Sequence, residues 1–285
     1  MEQRTIKHTV SCFGIGVHSG KPASLTLHPA EANTGIQFVR TDIKTNNTVK
    51  ARYDFVSTTT LGTTIKNKSG VEIATIEHLM AALWGCKIDN IIIETDGPEI
   101  PIMDGSSEPF IFMIECAGVQ NLNSLRKYIE ITDEIVIEDK GSKTRITPSQ
   151  DFSIDMQIEF NDQLIRTQNF KFSDKDRSFK HELSRARTFG FKHEAEMLQK
   201  MGLAQGASLD NAIVLHENKV VNQEGLRYKD EFVRHKMLDL IGDLYLAGMP
   251  FKGHFDSFKP GHTINNKVLH TLFDTPKSWR IVEDY

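Results

Sequence analysis

Three polar residues recur at four-residue intervals in the segment EFVRHKMLDLIGDL: His235, Asp239 and Asp243. Residues four apart lie on one face of a helix, so this spacing presents an imidazole and a carboxylate to the same point. Imidazole nitrogen and carboxylate oxygen are ligands that divalent metals such as zinc accept. The spacing therefore predicts a metal site on this helix. The alternative that it leaves open is a solvated polar stripe with weak i, i+4 pairing.

A catalytic zinc site needs a third protein ligand and an open fourth position. His78 is the candidate, because the segment HLMAAL that it begins parallels the segment HKMLDL that begins at His235. Its neighbour Glu77 would then stand beside the metal without binding it, where a carboxylate can take a proton from water. Taken alone, His78 is equally well explained as a solvated helix residue.

Two further histidines stand close to glycines in the sequence. His262 lies in GHTINN, on a turn before the last predicted helix, where it could pair with Asp243 and donate a proton to a leaving group. The alternative is a histidine at a helix start that the backbone satisfies. His18 lies in GVHSG and either contacts a substrate or belongs to a β-turn.

The motifs HExxH, GxxxxGK[ST], GxGxxG and GxSxG do not occur, which disfavours phosphate-loop and dinucleotide chemistry.

The composition sets the broad class of the protein. The 285 residues carry 34 basic and 38 acidic side chains, and this mild acidity argues against a dedicated nucleic-acid binder. A hydrophobic content of 39% indicates a soluble globular chain of two domains or one large one. Cys12, Cys86 and Cys116 are odd in number and far apart, so we expect no disulfide framework and a reducing, cytoplasmic compartment. We expect neither a signal peptide nor a membrane span, because the longest apolar run covers only 79–84.

The elements that must position the polar residues alternate between strands and helices. Short β-type runs fill about the first 70 residues and the segment 126–172. Apolar periodicity predicts helices at 76–85 with Thr75 as N-cap, and at 109–117, 194–201, 230–247 and 263–273.

The two halves of the chain echo each other. After HLMAAL and after HKMLDL there follow a short connection, a β run, a turn and another helix. We therefore expect an α+β fold of two similar domains, 1–122 and 123–285, joined near 120–125. The alternative is a chance similarity between two amphipathic helices.

Five motifs carry a family resemblance over nearly the whole chain: TIEHLMAAL, PEIPIMDGSS, SRARTFGF, GLRYKDEFVRHKMLDLIGDL and GHTINN. In this order they resemble the UDP-3-O-acyl-N-acetylglucosamine deacetylase family. The resemblance implies the zinc amidase of the committed step of lipid A synthesis in Gram-negative bacteria, which releases acetate and UDP-3-O-acyl-glucosamine. It also implies two sheets layered with helices, packed face to face around the active site, each domain with a small insert. The expected protein is a cytoplasmic monomer without nucleic-acid partners or stable membrane insertion.

The resemblance further implies a role for individual residues. The expected Zn²⁺ ligands are His78, His235 and Asp239, and the expected general base is Glu77. His262 is the expected second catalytic group, with Asp243 as its carboxylate partner. Thr188 is expected to supply the oxyanion-stabilising hydroxyl. The expected substrate contacts are His18, Lys236, Phe189 and, for the diphosphate, Lys259.

The resemblance places a passage for the acyl chain in an insert within 189–221. Small residues there would leave room for a lipid: Gly202, Ala204, Gly206 and Ala207. The alternative is that these residues serve close packing between a helix and a strand.

Two other functions remain open at this point. One is a zinc amidase acting on a different acylated sugar, and the other is a catalytically silent protein that zinc stabilises. Glu77 and His262 disfavour the second, because a structural zinc site has four closed ligands and needs no base. The division of proton transfers between these two residues is open as well.

Overall fold

The computed structural model describes residues 1–283, which form 20 strands and six α-helices. The helices are α1 (Glu77–Gly85), α2 (Glu108–Ala117), α3 (Phe179–Glu182), α4 (Lys192–Lys200), α5 (Glu231–Leu244) and α6 (His262–Phe273). The strands of the first half are β1 (Glu2–Ile6), β2 (Val10–Ile15), β3 (Pro22–Pro29), β4 (Ile36–Arg40), β5 (Thr48–Lys50), β6 (Val56–Thr58), β7 (Thr64–Lys66), β8 (Glu72–Ile73), β9 (Ile91–Thr95) and β10 (Val119–Leu125). Those of the second half are β11 (Lys127–Ile131), β12 (Ile135–Asp139), β13 (Ser142–Thr147), β14 (Phe152–Glu159), β15 (Thr167–Ser173), β16 (Phe189–Phe191), β17 (Ile213–His216), β18 (Lys219–Val220), β19 (Phe251–Phe258) and β20 (Trp279–Glu283).

Each half contains a five-stranded unit, and the two units share one topology. Their strand orders are β2-β3-β9-β4-β5 and β12-β13-β19-β14-β15. In both, the central strand runs antiparallel to one neighbour and parallel to the other. The helix pairs α1 and α2, and α5 and α6, follow at equivalent points of the chain. The echo in the sequence is therefore a repeated α+β topology, as predicted, and not a chance similarity.

The two halves pack together through their helices. The strands alternate buried apolar and outward polar side chains, so each sheet has one covered face. Helix α5 packs on β14 and β15 and also against α1. The two helices come so close that a Cβ at Gly242 would overlap the carbonyl oxygen of Glu77. The aromatic ring of Trp84, near the end of α1, packs against Phe152 of the second sheet, with 5.2 Å between ring centroids.

Two small inserts interrupt the repeat. The first is the three-stranded sheet β6-β7-β8, which lies between β5 and α1 in the chain. The second is the sheet β16-β17-β18 with helix α4, which lies between α3 and α5. Both inserts contribute residues to the cavity described below.

Three local expectations differ from the structure. The N-cap of α1 is Ile76 and not Thr75, whose backbone has a positive φ and whose hydroxyl instead donates to Glu99. The helix predicted over 230–247 ends at Leu244 and continues only as a 3-10 turn. His262 is the first residue of α6, not part of a turn before it.

The segment 120–125, expected to join the two domains, lies in β10 and pairs with β1. It is therefore a strand, and the proposed boundary near residue 122 falls within it. Among the helices of residues 1–283, none is long and apolar enough to cross a membrane.

Candidate metal and catalytic site

Two histidines and an aspartate meet where α1 crosses α5. One ligand atom from each of His78, His235 and Asp239 lies within 4.8 Å of the other two. Asp239 Oδ1 is 3.3 Å from His235 Nε2 and 3.5 Å from His78 Nε2. All three side chains are buried. The structure thus brings the three predicted ligands together.

The donor set fits a divalent metal. Within residues 1–283, Asp239 Oδ1 is buried and accepts no hydrogen bond, whereas Oδ2 accepts one from Lys236 Nζ at 3.2 Å. A buried carboxylate oxygen without a donor is costly, and a cation held between it and the two imidazoles would remove that cost. Two nitrogens and one oxygen leave a fourth position open, which is the pattern of catalytic zinc sites.

The protonation of the cluster also suits metal binding. His235 Nδ1 lies 3.0 Å from the carbonyl oxygen of Ala186, so this nitrogen donates there and leaves Nε2 for the cluster. Burial lowers the pKa of His235 to about 3, even though Asp239 opposes the shift. Burial alone would raise the pKa of Asp239, but His235 and Lys236 outweigh it and hold that pKa well below its usual value. A neutral imidazole and an ionised carboxylate are the forms that bind metals.

Glu77 lies beside the cluster as the first residue of α1. Its Oε2 accepts a hydrogen bond from the backbone N–H of Thr63 at 3.0 Å, and its Oε1 is 3.9 Å from His262 Nε2. Burial raises the pKa of Glu77, although His262 and His78 oppose the shift. A carboxylate whose pKa is moved toward neutrality is suited to accept and return a proton.

His262 is held against Asp243 at the start of α6. Its Nδ1 donates to Asp243 Oδ2 at 2.8 Å, and Asn265 Nδ2 donates to the same oxygen at 2.8 Å. Burial works against the charged ring, but Asp243 and Glu77 outweigh it and raise the pKa of His262 to about 9. At neutral pH this side chain is therefore an imidazolium that faces Glu77.

A cavity of about 280 Å³ joins these polar groups to the interior of the second insert. Its lining includes the His78, His235 and Asp239 cluster with Glu77, Thr188 and His262. It also includes Glu194 of α4 and a set of apolar side chains, mostly from the insert: Ile102, Phe191, Ala195, Leu198, Ala204, Ala207, Ala212 and Val214. A cavity lined by both polar and apolar groups suits an amphiphilic ligand.

Three of the four expected substrate contacts line this cavity: His18, Lys236 and Phe189. Lys236 Nζ lies 5.8 Å from the centre of the Phe189 ring. Among residues 1–283, Lys259 is not part of the cavity lining, and its Nζ lies 3.3 Å from Glu159 Oε2.

The four small residues of the second insert could either leave room for an acyl chain or serve close packing, and the structure does not give them one shared role. Ala204 and Ala207 line the cavity. Gly206 instead packs against the turn that carries His18, because a Cβ there would overlap the carbonyl oxygen of Gly16. Gly202 has a φ of +80° and no neighbouring atoms where a Cβ would stand, so its role is in the turn.

Sequence reasoning missed three residues that hold the site. Thr63 contacts Glu77 and Asp243, Asn265 contacts Asp243, and Glu99 accepts hydrogen bonds from the backbone of His18 and Ser19. Asn265 and Glu99 lie in the motifs GHTINN and PEIPIMDGSS, which gave a signal for them. Thr63 lies in the plain run TTTLGTTI, which gave none.

Three side chains that could hold a metal ion, beside a buried carboxylate, are the arrangement typical of a metal-dependent hydrolase. The sequence pattern of the UDP-3-O-acyl N-acetylglycosamine deacetylase family matches residues 3–274. The chain belongs to this family, which confirms the resemblance drawn from the motifs, and it is a deacetylase that hydrolyses an amide.

Named relatives align with almost the whole chain. It is 46% identical over 284 residues to the UDP-3-O-acyl-N-acetylglucosamine deacetylase of Pasteurella multocida (strain Pm70), covering 99% of this chain and 93% of the relative. The protein of the same name from Haemophilus influenzae (strain PittEE) is 45% identical with the same coverage. That from Shewanella halifaxensis (strain HAW-EB4) is 46% identical over 282 residues, covering 98% and 92%.

Proposed function

We propose that this chain removes the N-acetyl group of UDP-3-O-acyl-N-acetylglucosamine with Zn²⁺ held by His78, His235 and Asp239. The products are acetate and UDP-3-O-acyl-glucosamine, and the reaction is the committed step of lipid A synthesis. One observation carries the proposal: three buried side chains that could hold a metal ion line a cavity that the apolar side chains of the second insert line as well. Relatives about 45% identical carry the name of this activity.

Zinc is the metal that the donor set favours. Calcium and magnesium prefer oxygen ligands, whereas two imidazoles and one carboxylate are typical of zinc. When bound, zinc supplies Lewis acidity to the amide carbonyl and to the attacking water.

Glu77 is proposed to take the proton of the attacking water. Thr63 holds its Oε2, so Oε1 is the oxygen left on the side of His262. Burial raises the pKa of Glu77, which makes this carboxylate a stronger base for the transfer. The hydroxyl of Thr188, at the cavity wall, is proposed to donate to the oxyanion that forms as water adds.

His262 is proposed to stabilise the developing negative charge and to protonate the leaving amine. It is charged at neutral pH because Asp243 raises its pKa, so its proton is available without a further step. A His262→Gln variant should lose most of its turnover. A wild-type rate in that variant would assign the amine proton to Glu77 instead.

The substrate is proposed to lie with its acetamide at the metal cluster and its acyl chain in the second insert, between α4 and β17. Lys236 at the cavity wall and Lys259 outside it supply cations for the diphosphate, while His18 and Phe189 contact the sugar and the start of the acyl chain. We also propose a cytoplasmic monomer of two domains, 1–122 and 123–285. Cell fractionation tests the cytoplasmic location, and light scattering of the purified chain tests the monomeric state.

A pair of neighbouring variants tests the function. His78→Ala should lose both zinc and acetate release, because one of three ligands is gone. Glu77→Gln, one residue away, should keep one zinc per chain and still lose most turnover. Full zinc occupancy in His78→Ala would refute the ligand assignment. Equal turnover of an acylated N-acetylglucosamine that lacks UDP would favour an amidase for another acylated sugar.

A further inference from the structure

Thr63 touches both carboxylates that flank the proposed chemistry. Its backbone N–H donates to Glu77 Oε2 at 3.0 Å, and its hydroxyl donates to Asp243 Oδ1 at 2.6 Å. Thr63 is only 1% exposed and lies directly before β7 of the first insert. One residue of this insert thus joins the first turn of α1 to the last turn of α5.

The hydroxyl of Thr63 donates a hydrogen bond to the Asp243 oxygen that His262 and Asn265 do not contact. Asp243 Oδ2 already accepts hydrogen bonds from His262 and Asn265, so the Thr63 hydroxyl is the donor that holds Oδ1. With both oxygens held, the carboxylate cannot rotate away from the His262 ring. Because Asp243 is buried, loss of the hydroxyl would leave Oδ1 without a donor among the residues that the structure describes.

A second hydrogen bond anchors the same loop to α6. The hydroxyls of Thr59 and Thr263 lie 2.9 Å apart, and Thr263 directly follows His262. The Thr63 hydroxyl oxygen is itself 3.3 Å from His262 Nδ1. The loop 59–63 is therefore attached both to Thr263 of α6 and to the Asp243–His262 pair.

We propose that Thr63 is a positioning residue for the deacetylation, and that the first insert serves to deliver it. Its N–H fixes the base Glu77, and its hydroxyl fixes Asp243 and, through Asp243, the ring of His262. This proposal rests on the proposed function, because it concerns the alignment of that site and no separate ligand.

Thr63→Val tests the proposal, since valine keeps the β-branched shape and the backbone N–H but lacks the hydroxyl. We expect kcat to fall about 10- to 100-fold, the range for a hydrogen bond to a charged group, while KM stays nearly unchanged. Thr63→Ser keeps the hydroxyl and should retain most of the wild-type kcat. Thr64→Val is the matched control, because it removes the next hydroxyl, which bonds to none of residues 1–283.

A double-mutant cycle with Asp243→Asn shows whether the hydroxyl acts through Asp243. The effect of Thr63→Val should largely disappear in the Asp243→Asn background, because the two changes break the same chain of contacts. Equal slowing in both backgrounds would overturn the proposal, and so would a wild-type kcat in Thr63→Val.

Two controls keep the proposals separate. Zinc content and thermal unfolding of each variant show whether it is folded and loaded, and Thr63→Ala replaces Thr63→Val if the latter does not fold. A wild-type protein that releases no acetate would refute the proposed function. An active wild type with an equally active Thr63→Val would refute the role of Thr63 alone.

Discussion

Replacing Asp243 with asparagine should change the pH at which the enzyme loses activity. The variant keeps the shape of this side chain, which lies in the last turn of α5, but removes its charge. In the wild type His262 Nδ1 donates to Asp243 Oδ2 at 2.8 Å, and Asp243 is the foremost of the groups that raise the pKa of this ring against burial. Without that charge, burial weighs more heavily and the pKa must fall.

The magnitude follows from the raised pKa. The rise from 6.5 to about 9 is a shift of about 2.5 pH units, worth roughly 3.4 kcal/mol. In the proposed mechanism the protonated ring is the active form, so activity is lost as the pH rises through the pKa. At about pH 8.5 a ring with the raised pKa is roughly three-quarters protonated, whereas one returned to the ordinary value would be about 1% protonated. Asp243 is the foremost of several groups that raise this pKa, so the variant should lose about 10- to 100-fold more activity relative to the wild type at that pH than at about pH 6.

The assay is kcat as a function of pH for the zinc-loaded wild type and variant. Zinc is present in both, so the comparison isolates the charge of Asp243. Asp256→Asn is the matched control, because Asp256 lies exposed on β19, outside the cavity lining. We expect Asp243→Asn alone to lose activity at lower pH. An unchanged alkaline limb in Asp243→Asn would refute the assignment of His262 as the charged group.

Two further changes test the cavity and the helix crossing. Ala207→Phe should fill part of the cavity beside the apolar side chains of the second insert, and so raise KM for long acyl chains more than for short ones. Met197→Ala, on the exposed face of α4, should leave both KM values unchanged. Equal KM changes for all chain lengths would count against an acyl site here. Gly242→Ala should cost about 1–3 kcal/mol of stability, because its Cβ would overlap the Glu77 carbonyl oxygen, and a wild-type melting temperature would show that the helices cross less closely.

The part of the site that lies on one helix could be predicted from the sequence alone. His235, Asp239 and Asp243 are four residues apart, and helical geometry places such residues on one face. The third proposed ligand, His78, is predicted from the internal echo, which the structure explains as a repeated topology. The repeat brings α1 against α5, so a similarity between two distant segments indicated a contact between them.

Other parts of the site depend on contacts that no local pattern records. Thr63 reaches Glu77 and Asp243 only because the first insert folds back over the helix crossing, and its own segment has no distinctive spacing. The predicted N-cap of α1 is wrong for a related reason. The Thr75 hydroxyl donates a hydrogen bond to Glu99, which lies in a distant turn. In both cases a tertiary hydrogen bond decides the role of the side chain.

The most direct test of the account is a zinc titration of the metal-free protein, with acetate release from UDP-3-O-acyl-N-acetylglucosamine as the readout. A site built from His78, His235 and Asp239 holds one ion. We expect no activity before zinc is added, then a linear rise, and a sharp end point at one zinc per chain. Full activity in the metal-free protein, or a rise that continues to a second equivalent, would contradict this expectation.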